Sequence, residues 1–538
     1  MLNERSLKCK VFIFAIHKRF VAQLVEHVTL NHGVVGSSPT EPTANGHLHS
    51  YYVGGFLFYN HKHHHLIELL FYLSIKLITS MRVHFIAIGG SAMHNLAIAM
   101  KLKGYRVTGS DDEIFEPSLS RLKKHGLLPS YKGWNPEMIT SELDAIVLGM
   151  HARADNPELQ RAKELGIKIY SYPEYLYEQS KNKTRIVVGG SHGKTTITSM
   201  IMHVLKHAGL KFDYMVGAQL KGFDTMVAFS DDSEFAVFEG DEYLTSPIDP
   251  RPKFHLYRPN IAIISGISWD HINVFPTFQI YKDQFTRFIN LIEPEGTLIY
   301  SADDAEVCSV VETANRNDIS FIPYKTHPYK TNDGKCKLIA EDQLIDIRVF
   351  GGHNLKNIAA AKAACNTIGV SDNEFYNAIK SFEGAAKRLQ LLARNDFTSV
   401  YLDFAHSPSK VKATVDAVKS QYPNRQLVTC FELHTFSSLN KKFLSEYKGA
   451  FDSADFAYVY FNPHTIEHKK LEPIEPNDVM KGFGRSDLKV FTSAEQLVND
   501  IEQIDWRNKN LLIMTSGNFG GTDLQLLADK LVGNRVVK

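Results

Sequence analysis

Short apolar runs alternate with helical patterns along the chain from residue 81 onwards. In the first of three such segments, a run of strand length leads to Gly89 and Gly90 and then to a helical pattern from Ala92 to Leu102. A second apolar run follows shortly afterwards, so this segment is predicted to open with a β-α-β unit. Its candidate strands are Val83–Ile88, Arg106–Gly109, Ala145–Leu148 and Ile167–Tyr170.

Two further segments repeat this alternation, which indicates an α/β fold with three domains. The candidate helices are Ile197–His207, Ile358–Cys365 and Ser409–Ser420. The candidate strands are Arg185–Val188, Phe235–Phe238, Ile261–Ile264, Thr398–Leu402, Leu427–Phe431 and Leu511–Met514. We expect a Rossmann-like N-terminal domain at 81–183, a central domain of the P-loop ATPase type at 184–385 and a Rossmann-like C-terminal domain at 386–538.

Residues 1–80 differ from the rest of the chain. They contain nine of the 24 histidines and no aspartate, and their apolar periodicity is poor. The stretch Val21–Thr43 resembles the peptide that results when a transfer-RNA gene is translated. We therefore expect a non-native or disordered extension, with the native protein beginning at Met81. The alternative for this region is a metal site formed by His61, His63, His64 and His65.

Composition excludes several classes of protein. The chain of 538 residues has 60 basic and 59 acidic residues, so no net field favours nucleic acid or a membrane surface. The best apolar run, Leu66–Ile78, contains Glu68 and Lys76 and is shorter than the roughly 20 residues that cross a bilayer. Five scattered cysteines fit a reducing compartment. We expect a cytoplasmic protein without nucleic-acid or membrane partners, and its oligomeric state is left open.

The strongest chemical motif is a glycine loop that follows the first strand of the second segment. It reads Gly189-Gly190-Ser191-His192-Gly193-Lys194-Thr195-Thr196 and leads into a helix. Glycines let backbone N–H groups surround phosphate oxygens, and the lysine supplies positive charge to the β- and γ-phosphates. The hydroxyl of Thr195 suits Mg²⁺. The loop therefore predicts binding of ATP and Mg²⁺.

Polar groups follow two more candidate strands of this segment. Glu239 comes directly after one strand, and Asp270 and His271 come shortly after another. Because ligands gather beyond the carboxyl ends of parallel strands, these groups are expected near the phosphates. A carboxylate and an imidazole there suit Mg²⁺ ions that neutralise a phosphoryl group in transfer.

The glycine turn of the first segment predicts a second anion site. Backbone N–H groups at Gly89 and Gly90 would approach a diphosphate at the start of a helix. Asp111, after the second strand, is placed to meet a ribose or a base. Other polar residues are ambiguous in isolation, since His353 and Asn354 at a helix start are often only caps.

Taken in order, these motifs resemble the Mur ligases of peptidoglycan synthesis. The resemblance extends from Met81 to the end of the chain. It rests on the β-α-β opening and on the collinear motifs GGSHGKTT, FEGDEY, DH, HNLKN, KR and DFAHSP. Mur ligases join an amino acid or peptide to the lactyl carboxylate, or the growing peptide, of UDP-N-acetylmuramic acid. The resemblance implies that ATP phosphorylates the carboxylate and that the amine then displaces phosphate from the acyl phosphate.

The resemblance also implies roles for particular residues. Catalytic roles fall to Lys194, Glu239, His271 and Arg388. The Mg²⁺ ligands would be Thr195, Glu239 and His271. ATP would contact Gly190, Ser191, His192, Gly193, Lys194, Thr195, Thr196, His353, Asn354, Asn357, Arg388 and Asp403. The UDP-sugar would contact Gly89, Gly90, Ser91, Met93, Asp111 and Asn156. The candidates on the amine side are His406 and His434.

Two amine substrates are candidates within the family. One is L-alanine, and the other is the recycled tripeptide L-alanyl-γ-D-glutamyl-meso-diaminopimelate. The stretch from Asp241 through Tyr257 resembles ligases for the tripeptide, whereas alanine ligases tend to have Asp-Glu-Ser here and lack the insertion. Phe519–Thr522 and, more loosely, Phe115–Ser118 also favour the tripeptide.

Several positions depart from the family pattern. Ala87 replaces a glycine of the opening turn, Ser265-Gly266 stands where Thr-Asn is usual, and Glu432–Thr435 matches no amine-substrate motif. These departures leave open a second class, a non-catalytic sensor of nucleotide sugars on a Mur scaffold. A folate-type polyglutamate ligase is a third possibility, against which the N-terminal β-α-β domain argues.

Overall fold

A computed structural model describes residues 80–150, 152–246, 248–332, 334–341 and 343–533. The predicted extension up to residue 79, with the histidine cluster at His61 and His63–His65, lies outside the described residues. In the described part of the chain, no helix is long and apolar enough to cross a membrane.

The first domain is a four-stranded parallel sheet with helices between its strands. The sheet order is β2-β1-β3-β4. Strand β2 lies on one side of β1 and β3 lies on the other, so the strand order reverses at β1. Buried apolar side chains such as Val83, Phe85 and Val147 fill the space between the sheet and its helices. Its elements are β1 (Arg82–Ile86), α1 (Ser91–Leu102), β2 (Arg106–Ser110), α2 (Ser118–Lys124), β3 (Ala145–Leu148), α3 (Pro157–Glu164), β4 (Ile169–Ser171) and α4 (Tyr172–Ser180).

The central domain contains a seven-stranded sheet. Its order is β13-β12-β11-β5-β8-β6-β7, and all neighbours are parallel except β6 and β7. The continuous apolar runs of β5 and β11 are buried on both faces, as expected for central parallel strands. Its elements are β5 (Thr184–Gly189), α5 (Lys194–His207), β6 (Phe212–Met215), β7 (Val227–Ala228), β8 (Phe235–Glu239), β9 (Leu244–Ser246), β10 (Asp249–Pro252), β11 (Ile261–Ile264), α6 (Phe278–Asn290), β12 (Thr297–Ser301), α7 (Ala305–Thr313) and β13 (Ser320–Tyr324).

Two small antiparallel units accompany this sheet. Strands β9 and β10 pair as a hairpin, and a separate three-stranded sheet follows β13. The helix predicted at Ile358–Cys365 begins earlier, at Gly352. The apolar pattern does not predict this first turn, because its residues are polar and face a cavity. The elements are β14 (Tyr329–Asn332), β15 (Lys335–Ala340), β16 (Gln343–Ile347), α8 (Gly352–Thr367) and α9 (Asp372–Ile379).

The C-terminal domain is a six-stranded sheet of order β17-β18-β22-β19-β20-β21. Only the pairing of β17 with β18 is antiparallel. Its elements are β17 (Gln390–Arg394), β18 (Thr398–Asp403), α10 (Pro408–Gln421), β19 (Gln426–Leu433), β20 (Phe456–Phe461), α11 (Pro463–His468), α12 (Pro476–Phe483), β21 (Lys489–Phe491), α13 (Ala494–Glu502), β22 (Lys509–Met514) and α14 (Leu524–Leu531).

One hydrophobic core continues from the central domain into the C-terminal domain. Phe350 packs edge-on against Tyr401, with ring centroids 5.4 Å apart. The hydroxyls of Tyr401 and Tyr422 lie 2.7 Å apart in the same contact. The carboxyl end of β5 and the carboxyl end of β18 are thereby held next to one cavity, and the predicted fold of three α/β domains is confirmed.

Candidate active site

A cavity of about 290 Å³ lies between the phosphate loop and the start of α10. It receives side chains from the central and the C-terminal domains, so neither domain forms it alone. The predicted ATP contacts that line it are Ser191, His192, Gly193, Lys194, Thr195, Thr196, His353, Asn354, Asn357, Arg388 and Asp403. Gly190 is not among the lining residues and lies behind them in the loop.

The phosphate loop has the conformation that its glycines permit. Gly190 has φ +126° and Gly193 has φ +74°, values that side chains rarely adopt. A Cβ atom on Gly190 would lie 2.9 Å from the backbone nitrogen of Ser265, and one on Gly193 would collide with Asn357. Ser265, one of the departures from the family pattern, donates its hydroxyl to the carbonyl of Gly189 over 3.2 Å. The hydroxyl of Ser265 therefore stabilises the start of the loop.

Lys194, at the first position of α5, is held by an ion pair. Its ammonium group contacts the carboxylate of Glu242, which is only 1% exposed, and donates to the carbonyl of Gly190 over 2.7 Å. Tyr281 donates a hydrogen bond of 3.2 Å to the same carboxylate. Burial alone would raise the pKa of Glu242, but Lys194 and His271 outweigh it and lower that pKa below its usual range. The carboxylate is therefore the resident counter-ion of the lysine.

Thr195 and Glu239 form a pair of oxygen donors at the edge of the cavity. The Thr195 hydroxyl donates to Oε1 of Glu239 over 2.8 Å, and Oε2 of Glu239 accepts from the backbone N–H of Gly217 over 2.7 Å. A hydroxyl and a carboxylate at this spacing are the hard oxygen ligands that Mg²⁺ prefers. Both residues fit a magnesium site.

His271 is not brought into this pair. Its Nε2 atom lies 3.6 Å from Oε1 of Glu242, and its ring centroid lies 5.0 Å from that of Tyr243. In the described residues, no group of three histidine, cysteine or carboxylate side chains has metal-binding geometry. Of the predicted magnesium ligands, the structure therefore assembles Thr195 and Glu239 and leaves the role of His271 a prediction.

The first turn of α8 closes one side of the cavity. Asn357 lies over Gly193, and Asn354 donates its amide to the carbonyl of Phe350 over 2.9 Å. Gly351 occupies the N-cap position, and no side chain caps this helix. Burial lowers the pKa of His353 to about 4, so this imidazole is neutral near pH 7. His353 and Asn354 therefore are not caps, and both line the cavity in which the resemblance implies contacts with ATP.

The C-terminal domain contributes Arg388 and Asp403. The guanidinium of Arg388 lies over the ring of Phe404 and reaches the Thr195 hydroxyl, with Nη2 to Oγ1 at 3.5 Å. Asp403 ends β18 and accepts backbone N–H bonds from Leu389 and Ala405 at 2.6 and 2.7 Å. Because two backbone groups fix this carboxylate, it is oriented before any ligand binds.

The structure adds Lys410 to the cavity, a residue that the motifs did not single out. Lys410 lies on α10, and its ammonium is 3.6 Å from the carboxylate of Asp270, with 20% of the side chain exposed. Burial lowers the pKa of Lys410, with Lys194 and Arg388 acting in the same direction as nearby positive charges. The signal in the sequence was a positively charged residue in the first turn of the helix that follows the motif DFAHSP.

A second cavity, of about 890 Å³, lies in the first domain at the carboxyl ends of β1 and β2. Within it, the backbone N–H of Gly89 donates to the carboxylate of Asp111 over 2.6 Å, and Asn156 caps α3. The predicted UDP-sugar contacts that line it are Gly89, Gly90, Ser91, Asp111 and Asn156. Met93 is not among them, because its side chain is packed in the core and only 4% exposed.

The candidates for the amine side, His406 and His434, do not line the ATP cavity. Burial lowers the pKa of His406 to about 4, and its carbonyl accepts a hydrogen bond from Tyr447. His434 lies 3.7 Å from the buried carboxylate of Glu432, which also accepts the backbone N–H of Phe519 over 3.0 Å. These groups lie at the carboxyl end of the C-terminal sheet, so a role on the amine side remains a prediction.

Three α/β domains, with a cavity between the central and C-terminal ones that a phosphate loop borders, define an enzyme of the nucleotide-binding α/β type. Three consecutive regions match family domains: residues 82–184 the Mur ligase family catalytic domain, 188–365 the Mur ligase middle domain, and 387–519 the Mur ligase glutamate ligase domain. UDP-N-acetylmuramate–L-alanine ligase of Clostridium kluyveri is 32% identical over 400 residues, which are 71% of this chain and 84% of that protein. The chain belongs to the Mur ligase family and is an ATP-dependent ligase.

Another relative, UDP-N-acetylmuramate–L-alanine ligase of Carboxydothermus hydrogenoformans, is 29% identical over 83% of this chain and 96% of its own length. The fold is similar to that of UDP-N-acetylmuramate-alanine ligase from Thermotoga maritima, with a TM-score of 0.61, 20% identity and coverage of 84% and 98% of the two chains. It is also similar to murein peptide ligase from Psychrobacter arcticus, with a TM-score of 0.57, 22% identity and coverage of 85% and 100%.

Proposed function

We propose that this chain uses ATP to join a peptide to the lactyl carboxylate of UDP-N-acetylmuramate, and that the peptide is L-alanyl-γ-D-glutamyl-meso-diaminopimelate. The observation that carries the proposal is the composite cavity. Lys194, Thr195 and Glu239 from the central domain face Arg388 and Asp403 from the C-terminal domain across it. We assign the three domains to residues 81–183, 184–385 and 386–538.

The proposed chemistry begins with activation of the carboxylate, for which ATP supplies the phosphoryl group. Lys194 and Arg388 stabilise the negative charge that increases on the phosphoryl oxygens during transfer. Lys194 becomes available to the phosphates when it leaves Glu242. Thr195 and Glu239 would hold Mg²⁺, which supplies further positive charge.

Closure of the site protects the activated carboxylate. An acyl phosphate is hydrolysed if water reaches it before the amine does, so exclusion of water is part of the reaction. The continuous core at Phe350, Tyr401 and Tyr422 holds the C-terminal domain against the central one. The amine can therefore react in a space bounded by both domains.

The hairpin β9–β10 supports the tripeptide as the amine substrate. Arg251 on the hairpin bridges to Glu174 of the first domain over 3.0 Å, and Tyr243 at its base contacts His271. Lys253, just after the hairpin, pairs with Asp241 over 2.6 Å. The hairpin thus extends from the phosphate site to the domain proposed to bind the UDP-sugar, and we propose that it contributes contacts for a longer amine substrate.

L-alanine is the second candidate, and the relatives in sequence favour it. The proteins from Clostridium kluyveri and Carboxydothermus hydrogenoformans are both named as alanine ligases, at about 30% identity. The stretch from Asp241 through Tyr257 favours the peptide instead, because it contains the hairpin β9–β10 and the resemblance implies that alanine ligases lack this insertion.

An amine panel tests the proposal. ADP release is measured with UDP-N-acetylmuramate and ATP in the presence of L-alanine, of L-alanyl-γ-D-glutamate, or of tripeptides that end in meso-diaminopimelate or L-lysine. We expect the largest kcat/KM with the diaminopimelate tripeptide. A preference for L-alanine would establish the second candidate, and the absence of stimulation by every amine would favour a nucleotide-sugar sensor.

A further inference from the structure

We propose that Lys410 binds the terminal phosphoryl group of the nucleotide, as a second phosphate lysine that the C-terminal domain contributes. The proposal rests on the ATP-dependent function proposed above and goes beyond it. It assigns to Lys410 the discrimination between a nucleoside triphosphate and a diphosphate.

Lys410 lies beside the two cationic groups already assigned to the nucleotide. Its side chain lines the same cavity as Lys194 and Arg388, which come from different parts of the chain. The nearest carboxylate, that of Asp270, lies 3.6 Å away, too far for a hydrogen bond. Three cationic groups thus face one small cavity, and Lys410 has a looser counter-ion than Lys194 has.

The start of α10 suits an anion. Pro408 is the first residue of this helix and Lys410 the third, so the lysine lies in the first turn, where backbone N–H groups already carry partial positive charge. Acidic residues are favoured there, and a lysine adds repulsion. Ser407, at the N-cap, makes no capping hydrogen bond, and its buried hydroxyl has no partner among the described residues. An anion at this position would offset the repulsion at Lys410 and would accept a hydrogen bond from the Ser407 hydroxyl.

The starts of two helices border the same cavity. Lys194 begins α5 of the central domain, and Ser409 and Lys410 in the first turn of α10 line the same cavity. The gap between them is narrow, since Ser409 Oγ lies 3.4 Å from Nε2 of His192 in the phosphate loop. The terminal phosphoryl group of a nucleoside triphosphate bound in the phosphate loop would therefore lie next to the start of α10. A diphosphate is shorter by the group that Lys410 would contact.

The test compares affinities of the full chain for ADP and for the β,γ-imido analogue of ATP, both with Mg²⁺, by isothermal titration calorimetry. Lys410→Met should weaken binding of the analogue by about tenfold or more, as expected for one charge-assisted contact, and leave ADP within about twofold. Lys410→Arg should retain most of the discrimination. Lys412→Met is the matched control, because Lys412 lies on the same helix, is half exposed and pairs with Asp416.

Each outcome bears on the proposal. Equal loss of both ligands in Lys410→Met, or a result the same as for Lys412→Met, overturns it. Lys410→Gln gives the same comparison if the methionine variant fails to show the wild-type melting transition. Lys194→Met tests the underlying function separately, since it should weaken both nucleotides. If the wild-type chain binds neither nucleotide, both the function and the role of Lys410 are overturned.

Discussion

Gly193 illustrates how closely the nucleotide cavity is packed at the scale of single residues. It lies in the left-handed region, and the side chain of Asn357 occupies the space that a Cβ atom would take. Gly209, at the other end of the same helix, has φ +70° with no atom within 4 Å of an added Cβ. The two glycines have nearly the same φ and differ in what surrounds them.

We predict that Gly193→Ala lowers ATP affinity by about tenfold or more, because Asn357 must move and the loop must change its conformation. Isothermal titration calorimetry with the ATP analogue measures the effect. Gly209→Ala carries the same backbone strain of roughly 1 kcal/mol and should leave affinity unchanged. Equal effects of the two substitutions would show that strain, and not the contact with Asn357, matters.

A second prediction concerns the charge at Lys194. Lys194→Ala should reduce ATP-dependent ligation by about two orders of magnitude or more, because stabilisation of transition-state charge is lost. The rate of ADP release under saturating substrates is the measurement. Turnover close to that of the wild type would refute the role. Lys221→Ala is a suitable control, since Lys221 is 87% exposed and pairs with Glu383 on the surface.

Motif residues could be predicted at this scale, and their counter-ions could not. Lys194, Thr195 and Glu239 follow from a loop and a strand end, which are local patterns. The pairing of Lys194 with Glu242 depends on how β8 and α5 pack, and the motif gives no reason to choose Glu242 over Asp241. No recognised motif includes Lys410, although it lies only two residues beyond DFAHSP.

Among the elements, the 3-10 helix Lys253–Leu256 has a structural role behind the phosphate loop. Phe254 stacks on His255 and on Phe288, with centroid distances of 4.7 and 4.5 Å. A Cβ atom on Gly189 would lie 3.3 Å from Phe254 and 3.2 Å from Phe288. This stack therefore fixes the strand end from which the loop departs.

The stack makes stability depend on pH through His255. Burial lowers the pKa of His255 to about 4, and its Nε2–H donates to the carbonyl of Gln284 over 2.8 Å. In the unfolded chain the pKa is about 6.5, so that state takes up the proton first as the pH falls. The contribution of neutral His255 is thus present above about pH 6.5 and lost towards pH 4.

We therefore predict that His255→Gln, which keeps a donor at the same place, loses less stability on acidification than the wild type. Between pH 7 and pH 5 the difference should be about 2 kcal/mol. Urea unfolding followed by circular dichroism at both pH values measures it. Parallel losses in the two proteins would mean that His255 titrates similarly in the folded and unfolded states.

The candidate strands are present with near-correct limits, whereas the parallel strands β12 and β20 and the small antiparallel units were not predicted. Strand β10 contains two prolines, and β9 and β10 together are too short to show an alternating pattern. The cross-strand pairing that stabilises them is not local. The predicted start of helix α8 is six residues too late, because His353, Asn354 and Asn357 face the cavity instead of the core.

For the whole molecule, the contact at Phe350 connects the central and C-terminal domains. Phe350 is 7% exposed and packs against Tyr401 and Tyr422. We predict that Phe350→Ala weakens this contact by about 3–5 kcal/mol, the usual cost of removing a buried aromatic ring. ATP affinity should fall as well, because the cavity needs both domains.

Limited trypsin digestion measures the predicted loosening, since Lys387 and Arg388 lie in the segment between the two domains. Cleavage there should be faster in Phe350→Ala and slower again when the ATP analogue is added. Phe397→Ala is the control, because Phe397 is 60% exposed and lies away from the contact. Unchanged digestion of Phe350→Ala would show that other contacts hold the domains together.

The ion pair between Lys194 and Glu242 has a consequence for selection among anions. An ammonium group that is already neutralised at short range offers little attraction to a single small anion such as chloride. A ligand displaces the buried carboxylate only when several negative charges and the backbone N–H groups of the loop act on it together. The site without a nucleotide therefore binds abundant monovalent anions weakly and selects polyphosphates.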